Sequence, residues 1–411
     1  MPPGFSRRDH DLVCDGVPLA EIATAAGTPV YVYSAATIRE RYRAIDHAFQ
    51  GYPHALHYAL KANSTLAIAR LLHALGSGVD ANSVWEIETA RRAGFDASQI
   101  VFTGVGKSPA ELECAVALDV KAINVESAGE LARVEAIAAR LGRVARVAMR
   151  LNPDIDAGSH PHISTGLKIN KFGVPVADAL PLLFQLKHRP HLRLVAVHVH
   201  VGSQITSLDP LRNAASFATR IALDLQRDGA PIEYVDLGGG LGVSYDGAEV
   251  PSPGAYVAVL LAEVRGSRLP IVLEPGRAIA APAGALVARV IDVKPRDAGS
   301  EFGHRRRHDR AAAAGAVQRL SPDRTGPRRR GRQPPLRDRR SGLREQRRRR
   351  PRSGPAAARR RGPGRHPRRR RLRIGDGVEL QSSSAAGGSA RRQRRMARDP
   401  PAPDDRRSAG A

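Results

Sequence analysis

The segment Tyr58-Ala59-Leu60-Lys61-Ala62-Asn63 ends an apolar, strand-like run that begins at Leu56, and a helical pattern begins near Thr65. A strand, a tight turn and an amphipathic helix form the repeating unit of a β/α barrel, in which the carboxyl end of each strand lies at the mouth. Lys61 is therefore expected at a barrel mouth, where its amine can condense with an aldehyde. The alternative interpretation is a solvated lysine on a loop, which is what most isolated lysines are.

Apolar strand-like runs and amphipathic helical patterns alternate from this segment to residue 274. Strands are predicted at 55–61, 78–82, 100–104, 121–125, 145–151, 194–201, 233–237 and 270–274. Helices are predicted at 65–75, 84–94, 108–117, 127–141, 176–186, 210–228 and 253–264. Eight repeats in this order predict an α/β fold, a (β/α)8 TIM barrel. The alternative is an open doubly wound sheet, which the single glycine-rich turn late in the chain does not favour.

Polar residues follow many of the predicted strands, at the end where barrel enzymes carry their chemistry. Such residues should share one rim of the barrel. They are Lys61, Asp80, Ser83, Arg150, Asn152, His198, His200, Ser203, Gly238, Gly239, Gly240, Glu274, Gly276 and Arg277.

The glycine run Gly238-Gly239-Gly240-Leu241-Gly242 follows the seventh predicted strand. In isolation such a run is more often a flexible turn. Phosphate sites in these barrels form from the loops after strands 7 and 8, and glycines let backbone N–H groups converge on phosphate oxygens. Arg277 can add a charged donor to the same phosphate or to a substrate carboxylate.

Two further features have competing interpretations. Glu274 ends an apolar strand, where an unpaired carboxylate is costly. It can pair with an arginine of the rim or with a protonated pyridine nitrogen, which would make that ring a strong electron sink. His198 and His200 lie two apart on one strand and face one side, as a metal pair or two core histidines would. No third ligand spacing appears in the sequence, so no metal is predicted.

Together these residues resemble the motifs of the fold-type III pyridoxal phosphate (PLP) decarboxylases, in particular the diaminopimelate decarboxylases. The segment around Lys61 resembles their cofactor-lysine motif, His200 to Ser203 their His-x-Gly-Ser pattern, and Glu274 to Arg277 their Glu-x-Gly-Arg motif. Gln204 after Gly-Ser resembles the diaminopimelate enzymes, whereas ornithine decarboxylases tend to differ there. Three polar stretches also resemble these enzymes and are predicted to form a loop beside the active site: Asn152–Asp156, Ile163–Gly166 and Lys171–Gly173.

The resemblance covers about residues 10 to 294 and implies an alanine racemase-like barrel followed by a C-terminal β-domain. The expected organisation is an N-terminal segment at 1–28, a PLP-binding barrel at 29–283, the start of the β-domain at 284–295 and a different kind of tail at 296–411. It also implies a homodimer that acts on a small amino acid.

The resemblance implies a role for each candidate residue. Lys61 holds the cofactor aldehyde, His200 stacks on the cofactor ring, and both are catalytic. Ser203 holds the cofactor phosphate beside the glycines Gly238, Gly239 and Gly240, and Glu274 pairs with the ring nitrogen. Gly276, Asp80 and Arg150 are further cofactor-binding residues. Arg277 grips the phosphate or a substrate carboxylate. Asp80 and Glu86 resemble the family's acidic residues near the cofactor lysine, with Arg150 as their expected counterion; ion pairing that only stabilises the rim is the alternative.

Composition divides the chain into two unlike parts. The net charge is +25, and residues 296–411 carry all of it, with 36 Arg, no Lys and 11 acidic residues. Such a tail is expected to be disordered, and an Arg-rich segment can bind nucleic acid through phosphates. Two cysteines, Cys14 and Cys114, provide no disulfide framework, which favours a reducing cytoplasm. No apolar run is long enough to cross a membrane, and residues 1–12 lack the apolar core of a signal peptide.

The family's proton donor, a cysteine followed by glutamate in the β-domain, is missing, because no cysteine follows Cys114. Codons that encode Arg305–Asp309 can read Asp-Gly-Gly-Met one base later, and those for Ala311–Gln318 and Leu343–Arg348 can read Arg-Pro-Leu-Ala-Leu-Tyr and Cys-Glu. These sequences resemble family motifs in the family's order. The hypothesis is a frameshift near residues 295–303, in the gene or in its sequencing.

The sequence therefore predicts PLP-dependent decarboxylation of meso-2,6-diaminopimelate to L-lysine, impaired in this chain because the proton donor is absent. The alternatives are an ornithine/arginine-type or carboxynorspermidine-type decarboxylase and, outside enzymes, an Arg-rich nucleic-acid-binding protein.

Overall fold

Eight parallel strands form a closed barrel in the computed structural model, which describes residues 4–9, 11–155, 172–296 and 299–304. Each strand pairs with the next, and the eighth pairs with the first. The closed ring confirms the (β/α)8 barrel and excludes the open sheet. The strands are β1 (His54–Ala59), β2 (Gly78–Ala81), β3 (Ile100–Phe102), β4 (Ala122–Val125), β5 (Ala145–Asn152), β6 (Leu192–Val199), β7 (Tyr234–Asp236) and β8 (Ile271–Leu273).

Helices follow the strands on the outside of the barrel: Leu66–His73, Val84–Ala93, Pro109–Leu118, Ala128–Arg140, Val176–Gln185, Asp209–Arg227, Pro253–Val264 and the short Arg277–Ala280. Serine hydroxyls fix several of their starts, since Ser83, Ser108, Ser127 and Ser252 each accept the backbone N–H three residues later. Predicted helix and strand ends agree with these bounds to within two residues. The helix after β8 was not predicted.

The core has two parts. The larger cluster packs the helices against the outer face of the barrel. A smaller cluster consists of strand residues alone and fills the barrel interior with mostly small side chains: Ala122, Ala148, Val195, Ala196, Tyr234 and Val272. The interior is thus packed solid, which leaves the carboxyl ends of the strands as the place for a site.

Further strands lie outside the barrel. Phe5–Arg8, Asp11–Cys14 and Val17–Pro18 form a small antiparallel sheet, followed by the helix Leu19–Ala26. Val30–Tyr33 pairs antiparallel with Gly284–Val287, and the helix Ala35–Ala48 leads into β1. Val290–Arg296 pairs antiparallel with Gly299–His304. The chain therefore leaves the barrel for antiparallel strands at residue 284.

Two predicted features lie outside the described residues: the Arg-rich tail from 305 to 411 and residues 156–171 of the polar loop. Cys14 and Cys114 are both free thiols. Among the helices that the structure describes, none combines the length and apolar character needed to cross a membrane.

Candidate active site

A cavity of about 270 Å³ opens at the carboxyl ends of the strands. Eight of the predicted site residues line it: Lys61, His200, Ser203, Gly239, Gly240, Glu274, Gly276 and Arg277. Asp80, Arg150 and Gly238 are not among its lining residues: Asp80 pairs with Lys61, Arg150 pairs with Glu126, and Gly238 precedes Gly239 of the wall. Residues that follow β1, β6, β7 and β8 thus share one cavity, as predicted for these eight.

Lys61 lies in a 3-10 turn, Leu60–Ala62, just beyond β1, rather than at the strand end as predicted. Its amine donates to Asp80 Oδ2 at 2.9 Å, and Asp80 is fully buried. The Lys61 side chain is 44 % exposed, toward the cavity. Partial burial at the cavity wall would by itself lower the pKa of this amine, but the carboxylates of Asp80 and Glu274 outweigh it and raise the pKa above its ordinary value. Asp80 thus holds the lysine charged and aimed at the cavity.

His200 is fixed by the glycine run. The backbone N–H of Gly239 donates to His200 Nδ1 at 3.1 Å, so this nitrogen is an acceptor and the ring proton lies on Nε2. Burial, followed by the cations Lys61 and Arg150, holds the pKa of His200 well below its ordinary value. Gly238 has φ +61°, and a Cβ there would lie 2.7 Å from His200 Nδ1. The glycines are therefore needed for the ring to lie where it does, as a neutral flat surface.

Glu274 is buried at the end of β8. Its Oε1 accepts from Asn124 Nδ2 at 3.3 Å, and its Oε2 lies 3.4 Å from His198 Nε2. Burial would raise the pKa of this carboxyl, but the neighbouring His198, with help from Lys61, outweighs it and lowers the pKa. These neighbours therefore favour the ionised form of Glu274. The alternative in which it pairs with a rim arginine is wrong, because its partners are Asn124 and His198.

Arg277 and Ser203 meet across the cavity. Arg277 Nε donates to Ser203 Oγ at 3.1 Å and its Nη1 to the Tyr245 hydroxyl at 2.6 Å. Gln204 fastens the loop after β6 to the loop after β7, since its amide accepts from Val243 N and donates to Val243 O. These contacts bring a guanidinium, a hydroxyl and the glycine run to one side of the cavity.

The expected pairing of Arg150 with Asp80 and Glu86 is wrong. Arg150 Nη1 donates to Glu126 Oε1 at 2.6 Å, and both side chains are buried. Asp80 pairs with Lys61, while Glu86 accepts the backbone N–H of Asn82 at 2.7 Å. Glu126 directly follows β4, and β4 pairs with β5, which carries Arg150, so the strand-end rule applied to β4 would have offered Glu126 as a partner.

Sequence reasoning missed Asn124, Glu126, Asp236 and Tyr245. Asn124 and Asp236 lie near the ends of β4 and β7, so the strand-end rule applied to every strand would have found both. Nothing in the sequence singled out Tyr245. His198, Asp236 and Glu274 bring three ligand-type atoms within 4.8 Å of one another, all buried. The spacing of residues along the sequence could not reveal this group, because His198, Asp236 and Glu274 come from three neighbouring strands.

The donor set suits PLP. The cavity offers the Lys61 amine, which reacts with an aldehyde after losing its proton, a buried carboxylate for a ring nitrogen, and Ser203, Arg277 and glycine backbone for a phosphate. Neighbouring atoms also approach two glycines of the cavity wall too closely for any side chain there. A Cβ at Gly239 would collide with the Glu274 carbonyl oxygen, and one at Gly276 would lie 3.0 Å from Ala62 Cβ.

Comparison with known proteins agrees with this donor set. Residues 35–281 match the family model of the pyridoxal-dependent decarboxylase, pyridoxal binding domain. The diaminopimelate decarboxylase of Neisseria meningitidis serogroup A is 43% identical over 283 residues, 69% of this chain and 70% of that protein. Diaminopimelate decarboxylase from Helicobacter pylori, solved in complex with L-lysine, matches with a TM-score of 0.66 and 42% identity over 67% of this chain and 70% of that one.

A lysine/ornithine decarboxylase from Vibrio vulnificus, complexed with cadaverine, has the same fold at lower identity: 25%, with a TM-score of 0.60, over 70% of this chain and 72% of that one. The chain belongs to the diaminopimelate decarboxylase family of pyridoxal-dependent decarboxylases.

Proposed function

We propose that this chain binds PLP through Lys61 and that its site is built to decarboxylate meso-2,6-diaminopimelate to L-lysine. The observation that carries the proposal is the convergence of Lys61, neutral His200 and ionised Glu274 on one cavity. The substrate is inferred from relatives at about 43% identity and from Gly202-Ser203-Gln204. Gln204 is tied to the loop after β7, so a family-specific residue shapes the wall beside Arg277.

When bound, PLP supplies an aldehyde for the substrate amine and a ring that accepts the electrons of the broken carbon–carbon bond. The chain's own residues prepare the site for it. Asp80 holds the Lys61 amine in reach of the aldehyde, and Glu274 keeps a proton on the ring nitrogen. His200 offers a flat, uncharged face to the ring. Its neutrality matters, because an imidazolium there would oppose the positive ring nitrogen.

Ser203, Gly238, Gly239, Gly240 and Gly276 are proposed to hold the phosphate, as hydroxyl and backbone donors do elsewhere. Arg277 is proposed to bind the phosphate or a substrate carboxylate. Among the residues that the structure describes, it contacts Ser203 and Tyr245, neither of which is an anion. Its charge is therefore available for an incoming anionic group.

We also propose that turnover is impaired. The family's cysteine–glutamate proton donor is absent from this sequence, and the Arg-rich residues that stand in its place fit a shifted reading frame. The nucleotide sequence tests this directly. Stop codons in the frame one base later, or absence of the three family-like segments from it, would contradict the frameshift.

A cytoplasmic homodimer is the proposed assembly. Trp85 is 78 % exposed at the start of the helix after β2, and Val105 in the loop after β3 is also exposed. Since β2 and β3 are neighbours, both apolar side chains lie on the rim of the barrel mouth, and exposed aromatic residues are typical of interfaces. Light scattering on the purified protein should give twice the chain mass, and Trp85→Ser should shift it toward the monomer.

The function is tested with the purified chain, PLP and four amino-acid substrates. We expect an absorbance band of covalently bound cofactor that is lost in Lys61→Ala and kept in Lys187→Ala, a lysine of the surface paired with Asp228. Measured CO2 release should be slow with diaminopimelate and slower with ornithine, arginine and carboxynorspermidine. A band that survives in Lys61→Ala would refute the cofactor site, and full-rate turnover would refute the impairment.

A further inference from the structure

Asp236 occupies an unusual position below the site. It is the last residue of β7 and is fully buried, between His198 of β6 and Val272 of β8 in the strand register. Its Oδ1 accepts the backbone N–H of Gly238 at 3.0 Å. Its Oδ2 is sealed from solvent and accepts no hydrogen bond from the residues that the structure describes, and the group it can donate to when protonated is the Glu274 carboxylate. An ionised carboxylate would leave that oxygen's charge uncompensated, which is costly in a protein interior.

The second carboxylate of the cluster competes for the same environment. Oxygen atoms of Asp236 and Glu274 and a ring nitrogen of His198 lie within 4.8 Å of one another. Two buried carboxylates this close cannot both ionise cheaply, so one must carry a proton. Glu274 has the better partners, because Asn124 Nδ2 and His198 Nε2 lie at its two oxygens.

Charge around Asp236 favours its neutral form. Burial, then the facing Glu274 carboxylate, raise the pKa of Asp236 well above its ordinary value, and Asp80 acts in the same direction. The Gly238 N–H opposes this shift but is outweighed. No cation among the described residues forms an ion pair with Asp236.

We propose that Asp236 is a protonated carboxylic acid in the folded protein and that this neutral acid keeps Glu274 as the ionised member of the pair. Asp236 is thus a positioning residue: it touches neither cavity nor cofactor, but it fixes the charge of the carboxylate that meets the ring nitrogen. The proposal rests on the proposed role of Glu274, but the location of the proton can be measured without turnover.

Infrared spectroscopy of the full chain near neutral pH tests the location of the proton. The carbonyl stretch of a buried protonated carboxylic acid should be present in the wild type, shift in D2O, persist in Glu274→Gln and vanish in Asp236→Asn. Absence of the band in the wild type would overturn the proposal. It would mean that a protonated His198 or a bound cation neutralises the two carboxylates instead. A band that persists in Asp236→Asn and vanishes in Glu274→Gln would place the proton on the wrong residue and also overturn it.

Cofactor affinity provides the second readout. Asparagine mimics the neutral acid, since its oxygen can accept from Gly238 and its NH2 can replace the O–H donor. Asp236→Asn should therefore bind PLP within about threefold of the wild type, whereas Asp236→Ala should bind about 10- to 100-fold more weakly, the size of one hydrogen bond to a charged group. Equal weakening in both variants would mean that the charge of Asp236, not its proton, supports the site. Survival of the covalent-cofactor absorbance band in Lys61→Ala would refute the proposed function while leaving the infrared result unaffected.

Discussion

Gly238→Ala should disable the site by a predictable amount. Gly238 has φ +61°, and a Cβ added there would lie 2.7 Å from both Val199 O and His200 Nδ1. Ordinary contacts begin near 3.4 Å, so the backbone of β6 and the His200 ring must move by several tenths of an ångström. Left-handed backbone costs about 1–2 kcal/mol for a residue with a side chain, and overpacking adds about 1–3 kcal/mol. The free energy of unfolding should therefore fall by about 2–5 kcal/mol.

Gly142→Ala is the matched control, because Gly142 has φ +60° and nothing within 4 Å of its added Cβ. Its free energy of unfolding should fall only by the cost of the backbone strain, about 1–2 kcal/mol. Denaturant unfolding measures both variants, and PLP titration of the cofactor-free proteins measures the site. Weaker PLP binding is expected only in Gly238→Ala, since the clash moves His200 and disturbs the bond from Glu274 N to Gly238 O. Equal stability losses with unchanged PLP binding in both variants would refute the close approach of Gly238 to His200 and Val199.

Three further changes test other parts of the structure. Asp80→Ala should lower the pKa of Lys61, because burial then outweighs the remaining favourable charges. The pH at which the rate of covalent PLP attachment rises should therefore shift downward. An unchanged pH profile would contradict the pairing of Lys61 with Asp80. Burial and nearby Lys121 lower the pKa of His57 from 6.5 to about 4, so the unfolded chain binds the proton more tightly than the folded protein does. The free energy of unfolding should therefore fall by about 3 kcal/mol as the pH drops from 6.5 to 4. Denaturant unfolding should show a smaller pH-dependent loss in His57→Asn. Lys107→Met should lower the free energy of unfolding by about 3–5 kcal/mol in the same assay, because it leaves the Glu130 carboxylate buried without its cation; both side chains of this pair are 2 % exposed. Replacing both Lys107 and Glu130 by apolar residues should recover most of that loss.

The barrel and its active rim follow from the sequence. Apolar runs separated by amphipathic helices predicted all eight strands to within two residues, because a parallel strand covered on both faces must be apolar along its length. The rule that chemistry lies at the carboxyl ends of strands then selected Lys61, His200 and Glu274, which do share one cavity. For the tail beyond residue 304, composition predicts disorder and the codon argument predicts a shifted frame, and both stay predictions.

Tertiary structure decided which polar groups are partners. Arg150 pairs with Glu126 rather than with Asp80, Gly239 fixes the tautomer of His200, and Asp236 lies against Glu274. Hydrophobic periodicity is a property of one segment and can be read along the chain. The partner of a buried charge depends instead on distances of about 3 Å between side chains of different strands, and on how far each is withdrawn from water. Only the closed barrel sets those quantities, because residues far apart in the chain become neighbours when it closes.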